Sequence, residues 1–467
     1  MSTVTREKPD TLKGKLQRGH GAGYLEALQN PPEELAPILI DCICNDGRLD
    51  QQVESRYEYY ASLIVDTHIE ISPIADFLKA NDDIDDQSDR LLTIYTLGNL
   101  ALRGLDKAAV FLREYVSYGY NWCAAISELM EANSNLSGLD TIICNRYEND
   151  KELLKDIDKQ SLDASFFDFL RGTNPRLQKL LEAEEVKDWI PKRENPKKRF
   201  KPNFTALTVE ELFDHCDRHN LYKLGRILKS KLSAKHSSFL ENMVQSGHDY
   251  QRALALNCMG MLGTTESFAY LKNFFEDVSN GLLDNPKYEK RFICAQALRN
   301  IACAPPEASL ETGRKWFMSP NYPENVAGWH ILERYATIED APMLKQTIIE
   351  SLQDEDTSAY MLCSAVDALG NFENIGMIPE IEKVYHEAIY SYARRRAVKT
   401  MSINDPLEFA SKYAYECLYD CEDDTKLLGI EFANISDPAV YQRLSELAED
   451  PLEDEQVRQD AKERLFL

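Results

Sequence analysis

A 32-residue period constrains this chain more than any other feature of its sequence. Ala365, Ala397, Gly429 and Ala461 fall at intervals of 32, as do the apolar residues four positions later, Leu369, Met401, Ala433 and Leu465. The first half carries the same pairing as Ala61/Val65, Thr93/Leu97 and Ala125/Leu129, again 32 apart. A fixed period of this size is the mark of stacked helical hairpins, each burying its apolar face on its neighbours. Further columns accompany it. Arg394, Lys426 and Arg458 stand three residues before the small residue, and Asp405-Pro406 and Asp437-Pro438 follow the apolar one. Aspartate supplies an N-cap oxygen, and proline at the first helical position has no N–H to waste. Each repeat therefore reads as a helix, a short turn capped by Asp-Pro, and a second helix. The expected fold is all-α: an α-solenoid, a right-handed superhelix of roughly ten stacked antiparallel helix pairs.

The period also sets the divisions of the chain. Residues 1–30 read as a polar leader and N-terminal cap, and 31–145 as a first helical repeat array. Between about 146 and 245 the register fails. This stretch holds the segment WIPKRENPKKRFKPNF, whose prolines Pro191, Pro196 and Pro202 forbid a continuous helix. It reads as an irregular basic insert with helices around it. The pattern returns with Ala255/Met259, Cys294/Leu298 and Leu332/Ala336, and residues 246–467 read as a C-terminal array.

Charge bounds the function. The net charge is −25, which opposes general binding to nucleic acid or to an anionic membrane. The insert departs from this balance: from Lys187 to Lys235 basic residues outnumber acidic ones by about two to one. Acidic clusters at Asp82, Asp83, Asp85 and Asp86, at Glu422, Asp423 and Asp424, and around Glu449–Glu455 read as solvated turns. No run of about 18 apolar residues suggests a membrane span. The N-terminus lacks the apolar core of a signal peptide. The eleven cysteines follow no framework spacing, which fits a reducing compartment, so the expected location is the cytoplasm.

The repeats RRRAVKTMSINDPLEFASKYAYECL and KLLGIEFANISDPAVYQRLSELAED resemble HEAT-like repeats of the short kind also seen in bilin-lyase-type families. The resemblance implies a helical-repeat scaffold or adaptor, with a minority of enzymes among its members. No motif here matches an enzymatic branch closely enough to carry over a catalytic residue, and no cofactor is implied.

Candidate functional residues are few. The basic run Lys192, Arg193, Lys197, Lys198, Arg199 and Lys201, with Phe200 and Phe204 interleaved, has the composition to meet phosphates and bases or an acidic protein surface. Lys412, Tyr415 and Glu416 follow an Asp-Pro turn, where the second helix of a hairpin would line a concave partner-binding face. His215 and His219 stand at i, i+4 on one helical face, a spacing at which two histidines can share a metal. The glycine-rich Arg18–Tyr24 reads as a flexible leader, with phosphate binding as its alternative. Arg56, Tyr57, Tyr59 and Tyr60 form an aromatic cluster that reads as core, with an interface hot spot as its alternative. The Cys42/Cys44 and Cys417/Cys421 pairs read as packing. The leading expectation is a cytosolic scaffold that binds a partner protein along its concave surface. Nucleic-acid binding through 192–201, and a lyase-like or other enzyme with a small-molecule pocket, are the alternatives.

Overall fold

The computed structural model describes residues 5–51, 53–80, 89–132, 138–149, 175, 179, 203–284, 297, 300, 301 and 304–466. Every regular element among them is helical, so the chain is all-α. It divides into two compact units. The first joins residues 1–197 to 383–467, and the second spans 198–382. Where the sequence reads one array over 246–467, the units divide at Lys383, and the last repeats share a unit with the first array.

In the first unit, α1 (Leu12–Arg18), α2 (Gly21–Ala27), α3 (Pro32–Cys44), α4 (Tyr57–Thr67), α5 (Ser72–Ala80), α6 (Asp89–Leu102), α7 (Asp106–Val116), α8 (Trp122–Glu131) and α9 (Leu139–Asn149) follow in order. The period explains their packing. Ala61, Thr93 and Ala125 are fully buried on α4, α6 and α8, where α6 packs against both of the others. A larger side chain in that column would overpack the helix contact, at about 1–3 kcal/mol. Val65 departs from its column: it is 37% exposed on the outer side of α4.

The second unit holds α10 (Val209–Asp214), α11 (Leu221–Leu228), α12 (Ser237–Ser246), α13 (Asp249–Leu262), α14 (Thr265–Asp284), α15 (Pro306–Phe317), α16 (Tyr322–Tyr335), α17 (Ala341–Gln353) and α18 (Glu355–Leu369). Leu212, Phe213, Leu224, Leu254, Met259 and Phe275 build its core. Thr208 and Glu211 form a capping box at the start of α10. Arg314 reaches from α15 to Asp340 before α17 at 2.6 Å.

The helix α19 (Pro379–Glu387) leads into the remaining repeats, α20 (Ser391–Asn404), α21 (Pro406–Lys412), α22 (Ala414–Cys417), α23 (Asp423–Phe432), α24 (Pro438–Glu449) and α25 (Glu455–Leu465). Ala397, Gly429 and Ala461 are buried on α20, α23 and α25. Asp405 accepts from the Glu408 N–H at 3.0 Å and Asp437 from the Ala439 N–H at 2.9 Å, each with proline next in the helix. Two members of the charged column are interior. Arg394 is 1% exposed and faces Asp420 at 3.4 Å, while Lys426 bonds Glu453 at 2.6 Å.

These late repeats close on the N-terminus, which corrects the reading of residues 1–30 as a polar leader. Leu16, Gln17, Arg18, His20 and Tyr24 are all at most 5% exposed. Arg18 Nε donates to the Glu387 carbonyl at 2.9 Å, and the Cys421 N–H donates to the Gly19 carbonyl at 3.0 Å. Gly19 has φ +68°, the left-handed value glycine adopts at a helix end. A Cβ on Gly21 would lie 1.8 Å from the Glu416 carbonyl oxygen. The glycines of Arg18–Tyr24 thus serve a turn and a close backbone approach. Around them Tyr59 and Tyr60 donate to the His20 and Leu16 carbonyls, each at 3.0 Å, and Arg56 bonds Glu54 at 2.7 Å.

Candidate functional site: a tyrosine-walled acidic cleft

The helices α4, α6 and α8 bury one face each and leave polar residues along their shared edge. On α6, Tyr95, Asn99 and Leu102 fall at i, i+4 and i+7, so they share one face. On α8, Glu128 and Glu131 are one turn apart. The first turn of α4 adds Tyr57 and Glu58, and Leu452 closes the rim. Together they enclose a cleft of about 210 Å³ within the first unit. Tyr57 and Tyr95 are half-buried, with ring centroids 5.7 Å apart and planes at 59°.

Glu128 determines the character of this cleft. Its side chain crosses α6 over Gly98, where a Cβ would meet the Glu128 Oε2 at 1.9 Å and its Cβ at 2.7 Å. Burial, with the neighbouring Glu131 adding to it, pushes the Glu128 carboxyl up to about 8. Burial also raises Glu58; Asp423 and Glu453 add to the effect, while Lys426 and Arg103 oppose it. No hydrogen bond or ion pair joins Glu58, Glu128 or Glu131 to a side chain among the described residues.

The adjoining cleft is different. It shares Glu58 and Leu452 with the first and measures about 30 Å³. Its cations are engaged: Lys426 by Glu453 at 2.6 Å, Arg103 by Asp450 at 3.0 Å, and Arg443 by Glu446 at 3.4 Å and over the Tyr419 ring at 4.3 Å. The contrast isolates the Glu128 cleft as acidic, aromatic-walled and open. Among the described residues no group of three or more His, Cys, Asp or Glu is arranged to hold a metal ion.

Of the residues singled out by sequence, Tyr57 lines this cleft and the others fall elsewhere. Lys192, Arg193, Lys197, Lys198, Arg199 and Lys201 lie outside the described residues, as do Phe200 and the acidic run Asp82–Asp86. Phe204 is half-buried under the Lys223 ammonium, 5.0 Å from its ring centroid. Lys412 is exposed and pairs with Glu408 on its own helix. Tyr415 packs edge-on against Tyr419, with ring centroids 5.7 Å apart. Glu416 accepts from the Tyr385 hydroxyl at 2.7 Å, and burial pushes its carboxyl up to about 7. These three residues lie outside the residues lining the acidic cleft.

His215 and His219 do not share a helical face. The helix α10 ends at Asp214, and Asp217 Oδ1 accepts from the His219 N–H at 2.8 Å in the turn that follows. Both rings are exposed. The acidic turn 422–424, read as solvated, is partly interior. Glu422 is 8% exposed and accepts from the Ser391 hydroxyl, and Asp424 pairs with Arg395 at 2.7 Å. Cys42, Cys44 and Cys417 are buried free thiols, and burial pushes the first two up to about 12. The cleft itself was missed because Glu58, Glu128 and Glu131 look like any acids in a chain of this charge. The one local signal is Gly98, a glycine in the interior of an otherwise good helix.

No protein family and no curated protein matches the chain. Among solved structures, an engineered protein aligns with 96% of this chain and 98% of its own, at 15% identity and a TM-score of 0.25. A likeness at that level carries no argument about fold or function. Among the described residues, no helix is long and apolar enough to cross a membrane.

Proposed function

We propose that this chain is a cytosolic helical-repeat adaptor that binds a partner protein at the cleft between α4, α6 and α8. One observation carries the reading: an open cleft walled by Tyr57 and Tyr95 whose acidic side chains make no ion pair or hydrogen bond with a side chain among the described residues. Tyrosine is favoured at interface hot spots because its rigid ring contributes large area at low entropic cost. A half-buried carboxylate without a donor costs stability in the free protein, and a partner that supplies one recovers it. The free, mostly buried cysteines fit a reducing compartment.

The test is site-specific crosslinking. A photoreactive phenylalanine analogue at Tyr57 is expected to form an adduct with one protein species in the native cell. The same analogue at Tyr222, exposed in the second unit, controls for chance proximity. Adducts common to both positions, or nucleic acid alone at Tyr57, would contradict the reading.

A further inference from the structure

The same cleft is specific enough to suggest what the partner brings, an inference that rests on the adaptor reading above. We infer that the cleft of Tyr57, Tyr95, Glu58, Glu128 and Glu131 receives an arginine side chain from a basic segment of the partner.

Size is the first argument. At about 210 Å³ the space falls below the ~300–1,000 Å³ of usual small-molecule pockets, and it suits one long side chain. Charge is the second. Two carboxylates one turn apart on α8 and a third on α4 face the same space, with no cation of the described chain bonded to them. Burial holds a proton on Glu128 at neutral pH, and an entering cation would draw that carboxyl into its ionised form beside Glu131 and Glu58. Shape is the third. Two half-buried tyrosine rings line the space at 59° to each other, and a guanidinium both stacks on an aromatic face and donates in its own plane to a carboxylate. An ammonium makes the ion pair but not the planar stack, so lysine ranks second.

The construction of the site is a separate observation. Glycine inside a helix is unfavourable relative to alanine. At position 98 that cost admits the Glu128 side chain across α6, where its carboxyl is half-buried without a donor. Two local costs thus meet at one cleft, the pattern expected where function rather than stability sets the residue.

The test uses the full-length chain and three fluorescein-labelled octapeptides of Gly and Ser, with a central arginine, lysine or citrulline. Binding is read by anisotropy. Arginine is expected to bind about tenfold tighter than citrulline, which keeps the shape and loses the charge, with lysine between them. Glu128→Gln should weaken arginine binding by about tenfold, and Tyr95→Ala should do the same while Tyr95→Phe retains it. Glu34→Gln, which removes an exposed charge of the same unit, should leave it unchanged. Circular dichroism confirms that each variant is folded, and the near-isosteric Glu128→Gln is the deciding one. Equal affinity for arginine and citrulline, or equal losses in Glu34→Gln and Glu128→Gln, would overturn the inference. A crosslinked partner at Tyr57 that persists at full yield in Glu128→Gln would leave the adaptor reading standing and the arginine inference refuted. Loss of any partner adduct in the wild-type chain would remove the adaptor reading itself.

Discussion

The Glu128 carboxylate lies across Gly98, so close that a Cβ at position 98 would fall 1.9 Å from Oε2 and 2.6 Å from Cδ. The glycine and the acid are therefore one feature. Gly98→Ala improves helix propensity, yet the whole Glu128 side chain must leave its place. The expected net result is a loss of about 1–3 kcal/mol by urea denaturation. Glu128→Ala removes the Oε2 and Cδ contacts and keeps the Cβ contact at 2.7 Å, so it should relieve part of that loss when combined with Gly98→Ala, and the double variant is more stable than additivity requires. Additive losses would separate the two residues.

The raised carboxyl of Glu128 has a defined pH signature. The folded state holds this proton up to about pH 8, while the unfolded chain releases it near its ordinary value of 4.5. Between those values the folded state binds more protons, so this group's contribution makes stability fall as pH rises. Glu128→Gln should lose that slope and be more stable than the wild type above pH 8, by about 1–3 kcal/mol. Urea melts of both proteins across the window measure it.

His20 gives an acid-side signature. Its Nδ1 accepts from the Ala22 N–H at 3.1 Å, and the ring is 2% exposed. Burial, with Arg394 the next contributor, holds it well below its usual pKa of 6.5. The unfolded chain takes up a proton below pH 6.5 that the folded chain refuses, so stability falls as pH drops through that value. His20→Asn keeps a capping side chain. It should flatten the fall in stability as pH drops below about 6.5.

Lys426 tests the charged column. It is 7% exposed and bonds Glu453 at 2.6 Å and Asp423 at 3.1 Å. Lys426→Met leaves Glu453 without that cation, and the expected loss is about 3–5 kcal/mol. The double variant with Glu453→Gln should recover much of it. A loss under about 1 kcal/mol, the value of an exposed pair, would show that the column is solvated.

These residues also show what could be read from the sequence. The all-α architecture was legible because Ala61, Thr93 and Ala125, and again Ala397, Gly429 and Ala461, are buried at a spacing of 32, and close helix contact demands small residues there. The caps at Asp405 and Asp437 were legible because they act within three residues of themselves. Arg18–Tyr24 was not, since its glycines are required by Glu416 and Cys421, some four hundred residues away in sequence. Lys426 and Glu453 announce a period but not a depth, because a charged column on an acidic chain reads first as surface. The cleft was hidden for the same reason: three acids from two helices become a site only when packing brings them around Tyr57 and Tyr95.

Calorimetry of the arginine octapeptide near pH 7, in two buffers of different ionisation enthalpy, tests the central claim most directly. A guanidinium in the cleft stabilises the ionised Glu128, so binding should release part of a proton, and Glu128→Gln should abolish both the release and about nine-tenths of the affinity. Binding without proton release, with the same affinity in Glu128→Gln, would contradict it.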